Sequence, residues 1–258
     1  MRLAVTGASG RMGGEVLAAA ADRAESVVLA VSSDPEAVDP VTVDVDTAVV
    51  HDADLADALA AHEVDVLVDF TAPAALADYA AACVDAGVAL VTGTTGLTDD
   101  GRAALADAAE SVPVLHAPNF SKGVAVLTQL VGDAAAALAD YDVELVEAHH
   151  DGKTDAPSGT ALSLLDAVDE ARGESPRVHG REGEAPRSEE EVGVHAVRAG
   201  DVTGMHEVWL AGGREELRLT HRAESRRVFA EGALDAAAWL AGRDAGQYEF
   251  EAVLEVDA

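Results

Sequence analysis

Apolar positions along the chain fall into short runs separated by longer stretches in which they recur every three to four places. The runs at 2–6 (RLAVT), 27–31, 64–70 (VDVLVDF), 88–92 and 112–116 predict strands, and the stretches at 11–23, 54–62, 74–86 and 99–109 predict helices. Strands that are apolar throughout have no face suited to water. The alternation therefore predicts βαβ units and a parallel sheet covered by helices on both sides. Beyond the loop APNFSKG (Ala117 to Gly123) the order changes. A helix at 124–139 leads to a strand at 143–148, a polar loop through Pro157 and a helix at 160–171. The charged segment Arg172 to Glu191, rich in Gly, Pro and Glu, reads as a mobile loop. Runs at 192–197, 206–211 and 216–221 with partial alternation predict three more strands, and 228–240 an amphipathic helix. The expected fold is α/β: a doubly wound parallel sheet with a second α+β domain carrying an open mixed sheet.

Charge changes this picture at the surface. Among 258 residues, 17 Lys and Arg stand against 48 Asp and Glu, a net charge of −31, while 49% of the chain is apolar. An acidic disordered polymer would lack that apolar half, so the chain is globular with an acidic surface. Such a surface repels phosphate backbones and anionic lipid, which argues against nucleic-acid and membrane partners, and it suits concentrated salt, where self-repulsion is screened. Lysine is nearly absent: only Lys122 and Lys153 occur, beside 15 arginines. Each lysine is thus a candidate for work arginine cannot do, such as giving up a proton. The one cysteine, Cys83, lies in an apolar stretch and reads as core packing; it allows neither an intrachain disulfide nor a cysteine zinc site. The N-terminus has no signal-peptide apolar region and no run reaches the ~18 residues of a membrane span, so a cytoplasmic protein is expected.

Three groups of residues could carry chemistry. GASGRMG (Gly7 to Gly13) follows a predicted strand and opens a helix, the context in which glycines let backbone approach a pyrophosphate and the helix N-terminus binds it. The sheet is therefore expected to be Rossmann-like. At the end of the second strand stand Ser32, Ser33 and Asp34: the acid would favour NAD, and the serines with Arg11 nearby could hold the 2′-phosphate of NADP. The second group is DFTAP (Asp69 to Pro73), GTTG (Gly93 to Gly96) and APNFS (Ala117 to Ser121). Each follows a predicted parallel strand, so all gather at the carboxyl edge of the sheet, although Gly, Thr, Pro and Asn are also the usual residues of plain turns.

The third group is EAHHDGKTDAPSGTA, Glu147 to Ala161. An imidazole can relay protons, an ammonium can donate one, and the amides of Gly159 and Thr160, with the Ser158 and Thr160 hydroxyls, can bind a carboxylate at the helix start. Metal ligation by His149 and His150 is disfavoured because neighbours on an extended strand point to opposite faces, and no metal is expected.

With these groups in this order, and with VRAGDVTGMHEV (Val197 to Val208), LTHRAESR (Leu219 to Arg226) and FAEGAL in the last helix, almost the whole chain resembles the dihydrodipicolinate reductases. The resemblance implies NADH- or NADPH-dependent reduction of a small dicarboxylate, 4-hydroxy-tetrahydrodipicolinate, in lysine biosynthesis by the diaminopimelate route, by a homotetramer. It implies a dinucleotide-binding domain at 1–121 plus 227–258 and a substrate-binding and oligomerisation domain at 122–226. Gly7, Ala8, Ser9, Gly10, Arg11 and Met12 would hold the pyrophosphate, and Ser33 and Asp34 would face the adenosine ribose. Gly93, Thr94, Thr95, Ala117, Pro118, Asn119 and Phe120 would lie along the nicotinamide side. His149 looks like the proton donor or acceptor and Lys153 like the proton donor, with His150, Ser158, Gly159 and Thr160 binding substrate. Lys122 stands where the family usually has an apolar residue and reads as a local variant. Two rivals remain: another two-domain dehydrogenase acting on an amino-acid-like substrate, and a non-catalytic nucleotide sensor, which would have no need of Lys153.

Overall fold

The computed structural model describes residues 1–254 and divides into two compact units, Met1–Phe120 with the chain from Arg226 onward, and Ser121–Ser225. The last four positions of the 227–258 segment expected to complete the dinucleotide domain lie outside the described residues.

In chain order the first unit begins with β1 (Arg2–Thr6), α1 (Arg11–Asp22), β2 (Ser26–Ser32), β3 (Ala48–His51), α2 (Leu55–Ala61), β4 (Val66–Asp69), α3 (Pro73–Ala86), β5 (Ala89–Thr92), α4 (Asp99–Ala109) and β6 (Pro113–His116). The second unit holds α5 (Lys122–Ala137), β7 (Asp142–His149), α6 (Gly159–Arg172), β8 (Arg177–His179), β9 (Val192–Arg198), β10 (Gly204–Gly212) and β11 (Glu215–Ala223). The chain then returns to the first unit with α7 (Arg227–Leu240), β12 (Gly246–Tyr248) and α8 (Glu251–Leu254).

The first sheet has the order β12-β6-β5-β4-β1-β2-β3, and every pairing in it is parallel. Its central strands are buried on both faces, with Leu3, Val5, Leu67, Val68, Leu90 and Leu115 wholly inaccessible. That explains why they read as continuous apolar runs. Cys83, on α3, is buried among the leucines of one core layer, and burial pushes its thiol pKa up, as befits a packing residue. Because β1 lies between β2 and β4, chain excursions after β1 and β4 diverge, and the carboxyl ends of β1, β4, β5 and β6 form one edge.

The second sheet, β11-β10-β7-β9-β8, is mixed: β10 runs antiparallel to β11 and β7, while β7, β9 and β8 are parallel. Alternate residues of β7 (Val143, Leu145, Glu147, His149) are buried, the first two against α5 and α6. The same alternation carries Glu147 and His149 to the buried face at the strand's end.

Three strands escaped the sequence reading. β3 is four residues long, and β8 and β12 only three, too short for a period to show. The segment Arg172 to Glu191, expected to be a mobile loop, contains β8 and is tied down by its arginines. Arg172 donates to the carbonyls of Ala135, Leu138 and Tyr141; Arg177 pairs with Asp169, Arg181 with Glu191, and Arg187 with Glu144 and Asp142. Composition marks such a segment as polar without saying whether its charges are paired. Among the described residues no helix is long and apolar enough to cross a membrane.

Candidate active site

In the first unit the glycine loop is built by steric exclusion. Gly7 sits at φ +65°, a conformation open to glycine, and a methyl on Gly13 would lie 2.1 Å from the Gly7 carbonyl oxygen. Any larger residue would push α1 off the turn. The start of α1 has no side-chain cap and no acidic residue in its first turn, so its first amides face outward without a competing carboxylate. Ser9, Gly10 and Arg11 are exposed there, with Gly7 and Met12 half-buried and Ala8 buried. A cavity of about 360 Å³ is lined by Ala8, Ser9, Gly10, Arg11, Glu15 and Asp39 among others. Ser9 and Ser32 share a hydrogen bond of 2.7 Å, and Ser32 also holds the turn of Asp34. Ser33 and Asp34 themselves are exposed.

The other loops of this edge converge on one carboxylate that sequence reasoning did not single out. Asp69, wholly buried at the end of β4, accepts at Oδ1 from the hydroxyls of Thr6 (2.8 Å) and Thr71 (2.6 Å) and from the Thr71 amide (3.1 Å). At Oδ2 it accepts from Thr92 (2.7 Å) and Thr94 (2.8 Å). One side chain thus fixes the ends of β1, β4 and β5 and the start of GTTG. The expected nicotinamide-side residues divide: Thr95 and Pro118 are exposed and Gly93 and Asn119 half-buried. Thr94 and Ala117 are buried, and the Phe120 ring packs edge-on against Phe70 and Phe250 in the core. Phe120 therefore supports the loop from behind and does not offer its ring to a ligand.

In the second unit the HHDGK turn leaves the end of β7 and is pinned by backbone bonds. Ala199 donates to the His149 carbonyl (3.0 Å), Asp151 to that of Gly200 (3.0 Å) and Lys153 to that of His150 (3.2 Å). His149 is buried and His150 half-buried. His149 Nδ1 lies 2.6 Å from Glu147 Oε2, and Lys153 Nζ lies 2.8 Å from Asp155 Oδ1. Arg198 joins these groups, donating to both oxygens of Glu147 (2.8 and 2.7 Å) and to the Asp155 carbonyl. Burial pushes the pKa of His149 down, a shift opposed by Glu147 and aided by Lys153 and Arg198. For Glu147, burial alone would raise the pKa, but Arg198 and His149 outweigh it and hold the carboxyl below its ordinary value.

Ser158 is buried at the start of α6. Its hydroxyl accepts from the Ala161 amide (3.2 Å) and lies 3.0 Å from His206 Nε2. It caps the helix, then, and orients a second buried histidine. His206, 3% exposed and edge-on to the His149 ring at 5.1 Å, has its pKa pushed down to about 3 by burial and by His149. The first turn of α6 carries no acidic residue, Gly159 is exposed, and a methyl placed on it would meet nothing within 4 Å. A helix start with open ground before it, beside a lysine and two histidines, is suited to an anion.

Residues 1–120 match the family model "Dihydrodipicolinate reductase, N-terminus", and residues 123–254 match "Dihydrodipicolinate reductase, C-terminus". The chain belongs to the dihydrodipicolinate reductase family. A 4-hydroxy-tetrahydrodipicolinate reductase of Haloarcula marismortui is 54% identical over 98% of this chain and 99% of its own, and one of Natronomonas pharaonis 51% identical over 97% and 99%. The Acinetobacter baumannii reductase is 41% identical over 98% of this chain and 96% of its own. Among solved structures, dipicolinate-bound dihydrodipicolinate reductase from Paenisporosarcina sp. TG-14 shares the fold, with TM-score 0.79 and 24% identity over 96% and 97% of the two chains. As a member of this family the chain is an NAD(P)H-dependent oxidoreductase of lysine biosynthesis. This activity sets aside the non-catalytic sensor. Glu147, Arg198 and His206 went unassigned in the sequence reading. The available signal was that Glu147 precedes His149 by two on one strand, which places both on one face.

Proposed function

We propose that this reductase converts 4-hydroxy-tetrahydrodipicolinate, or the dihydrodipicolinate formed when it loses water, to tetrahydrodipicolinate, with Lys153 and His149 managing the proton. The observation that carries the assignment is that His149 lies by Lys153 and is joined to the start of α6 through Glu147, which accepts from both His149 and the Ser158 amide, in a chain of net charge −31. The substrate carries two carboxylates, and reduction adds further negative charge, so it needs a cationic seat. The amides of Gly159 and Thr160 hold one carboxylate, His150 assists, and Ser158 keeps the helix start in place. Lys153 delivers the proton to the carbon beside the reduced position, and His149 relays it.

The glycine loop fits a dinucleotide: Gly7 takes the left-handed turn, Gly13 lets α1 pack directly against the Gly7 carbonyl, and the start of α1 has no side-chain cap. Gly7 to Met12 hold the pyrophosphate, Ser33 and Asp34 face the ribose, and the backbone of Gly93 to Thr95 and of Ala117 to Asn119 lies along the nicotinamide. The bound nicotinamide supplies the hydride. Glu15 and Asp39 line the cavity beside Arg11, and this acidic setting favours NADH over the 2′-phosphate of NADPH. The dinucleotide domain comprises 1–121 plus 227–258, and 122–226 binds substrate and assembles the homotetramer. Supporting that assembly, Ala148, Val197 and Met205 stand side by side on the sheet face away from α5 and α6, and Val197 is 45% exposed. The enzyme works in the cytoplasm.

The test is oxidation of NADH and NADPH in concentrated KCl, with substrate generated from pyruvate and aspartate semialdehyde. Turnover with this substrate and not with open-chain amino-acid-like carbonyls is expected, with kcat/KM higher for NADH. Turnover confined to the open-chain compounds would instead favour the rival dehydrogenase.

A further inference from the structure

We propose that the buried Glu147–Arg198 pair is a positioning device that holds His149 with its proton on Nδ1, so that Nε2 is the nitrogen that exchanges protons with substrate. The inference rests on the role given to His149 above. An ionised carboxylate can only accept hydrogen bonds, so Nδ1, 2.6 Å from Glu147 Oε2, must be the protonated nitrogen. Glu147 is wholly buried and fully engaged: Arg198 donates to both of its oxygens, and the Ser158 amide donates to Oε1 at 3.2 Å. It cannot reach substrate and has no capacity left for another partner. A buried ion pair of this kind is no better for stability than well-packed apolar residues, so its presence behind a functional imidazole calls for another explanation.

The far side of the ring agrees. Nε2 has no protein hydrogen-bond partner among the described residues, and 11% of the side chain stays open. A methyl placed on Gly204 would lie 3.3 Å from Nε2. The titratable groups facing the imidazole are Glu147 from its own strand, Arg198 from β9, His206 from β10 and Lys153 from the following turn. His206, with its pKa pushed down to about 3, stays neutral and does not compete as a proton carrier. Among the principal influences on the His149 pKa, Glu147 is the one that favours the charged imidazole. Without it, the three remaining influences of burial, Lys153 and Arg198 all drive the imidazole toward its neutral form.

The intact protein gives the first readout. Nitrogen-15 NMR of ring-labelled histidine, with the His149 signal assigned by its loss in His149→Gln, is expected to show the Nδ1–H form at neutral pH; an Nε2–H form would overturn the proposal. The second readout is Glu147→Gln. We expect kcat to fall by about ten-fold or more with the coenzyme Kd unchanged, and the His149-dependent limb of the kcat profile to move to lower pH. If that variant does not fold with Arg198 left unpaired, the tautomer in the parent protein still decides. Full turnover by His149→Gln would remove the assigned role of His149 itself. A slow His149→Gln beside a Glu147→Gln that matches the parent in kcat and pH limb would overturn only the part given to Glu147.

Discussion

At the residue scale, two buried carboxylates organise what the exposed residues do. Asp69 gathers four threonine groups from three strand ends, and Glu147 stands behind the histidine of the second unit. Replacing Asp69 by Ala leaves the Thr6, Thr92 and Thr94 hydroxyls facing a void, and each buried polar group without a partner costs about 1–3 kcal/mol. Asp69→Ala should lower the unfolding free energy by at least about 3 kcal/mol, measured by denaturant titration in KCl, and weaken coenzyme binding. A loss within experimental error would show that these hydroxyls find other acceptors. The residues proposed to carry the chemistry stand out in the sequence because their types are rare in context: a second lysine, paired histidines, a glycine loop. The sequence did not show that Asp69 and Glu147 are buried, since one acid among 48 carries no mark of burial, nor did it pick Arg198 from 15 arginines. Only the fold reveals which acid has lost its water. The case of Phe120 runs the other way: a residue inside a functional motif turned out to point into the core.

At the scale of elements, long strands and helices were legible from period alone, and the junctions were not. The α1 turn is where sequence and packing meet most tightly. Gly13→Ala would press a methyl to 2.1 Å from the Gly7 carbonyl oxygen, whereas Gly14→Ala meets nothing within 4 Å. The first should abolish coenzyme binding or folding. The second should be neutral or raise stability by up to about 1 kcal/mol through helix propensity, as read by paired thermal melts and NADH fluorescence titrations. Equal behaviour of the two variants would contradict the close contact. The Arg172–Glu191 segment shows the limit of reading composition. Its charges look like those of a solvated loop, yet its arginines pair with nearby carbonyls and carboxylates, which no local pattern encodes.

At the scale of the molecule, net charge and buried histidines set the conditions under which the enzyme stands. Self-repulsion at −31 is screened at about 1 M salt, where the Debye length is ~3 Å, so Tm should rise as KCl is raised toward that range. His149, His206 and His221 all have pKa values below the ordinary one, chiefly through burial. Neutral in the folded state, they take up protons on unfolding below about pH 6.5. Stability from this source is complete above that pH and is lost as pH falls through the folded values, about 3 for His206. In high KCl, Tm should therefore begin to fall near pH 6.5, before the carboxylates titrate; a flat Tm down to pH 5 would contradict neutral buried imidazoles. The most direct measurement is turnover of the in situ substrate by Lys153→Ala in saturating NADH and KCl, alongside its NADH Kd. With Lys153 as the proton donor, kcat should fall by about a hundred-fold or more with Kd within two-fold, roughly, of the parent. Parental kcat in that variant would contradict that role.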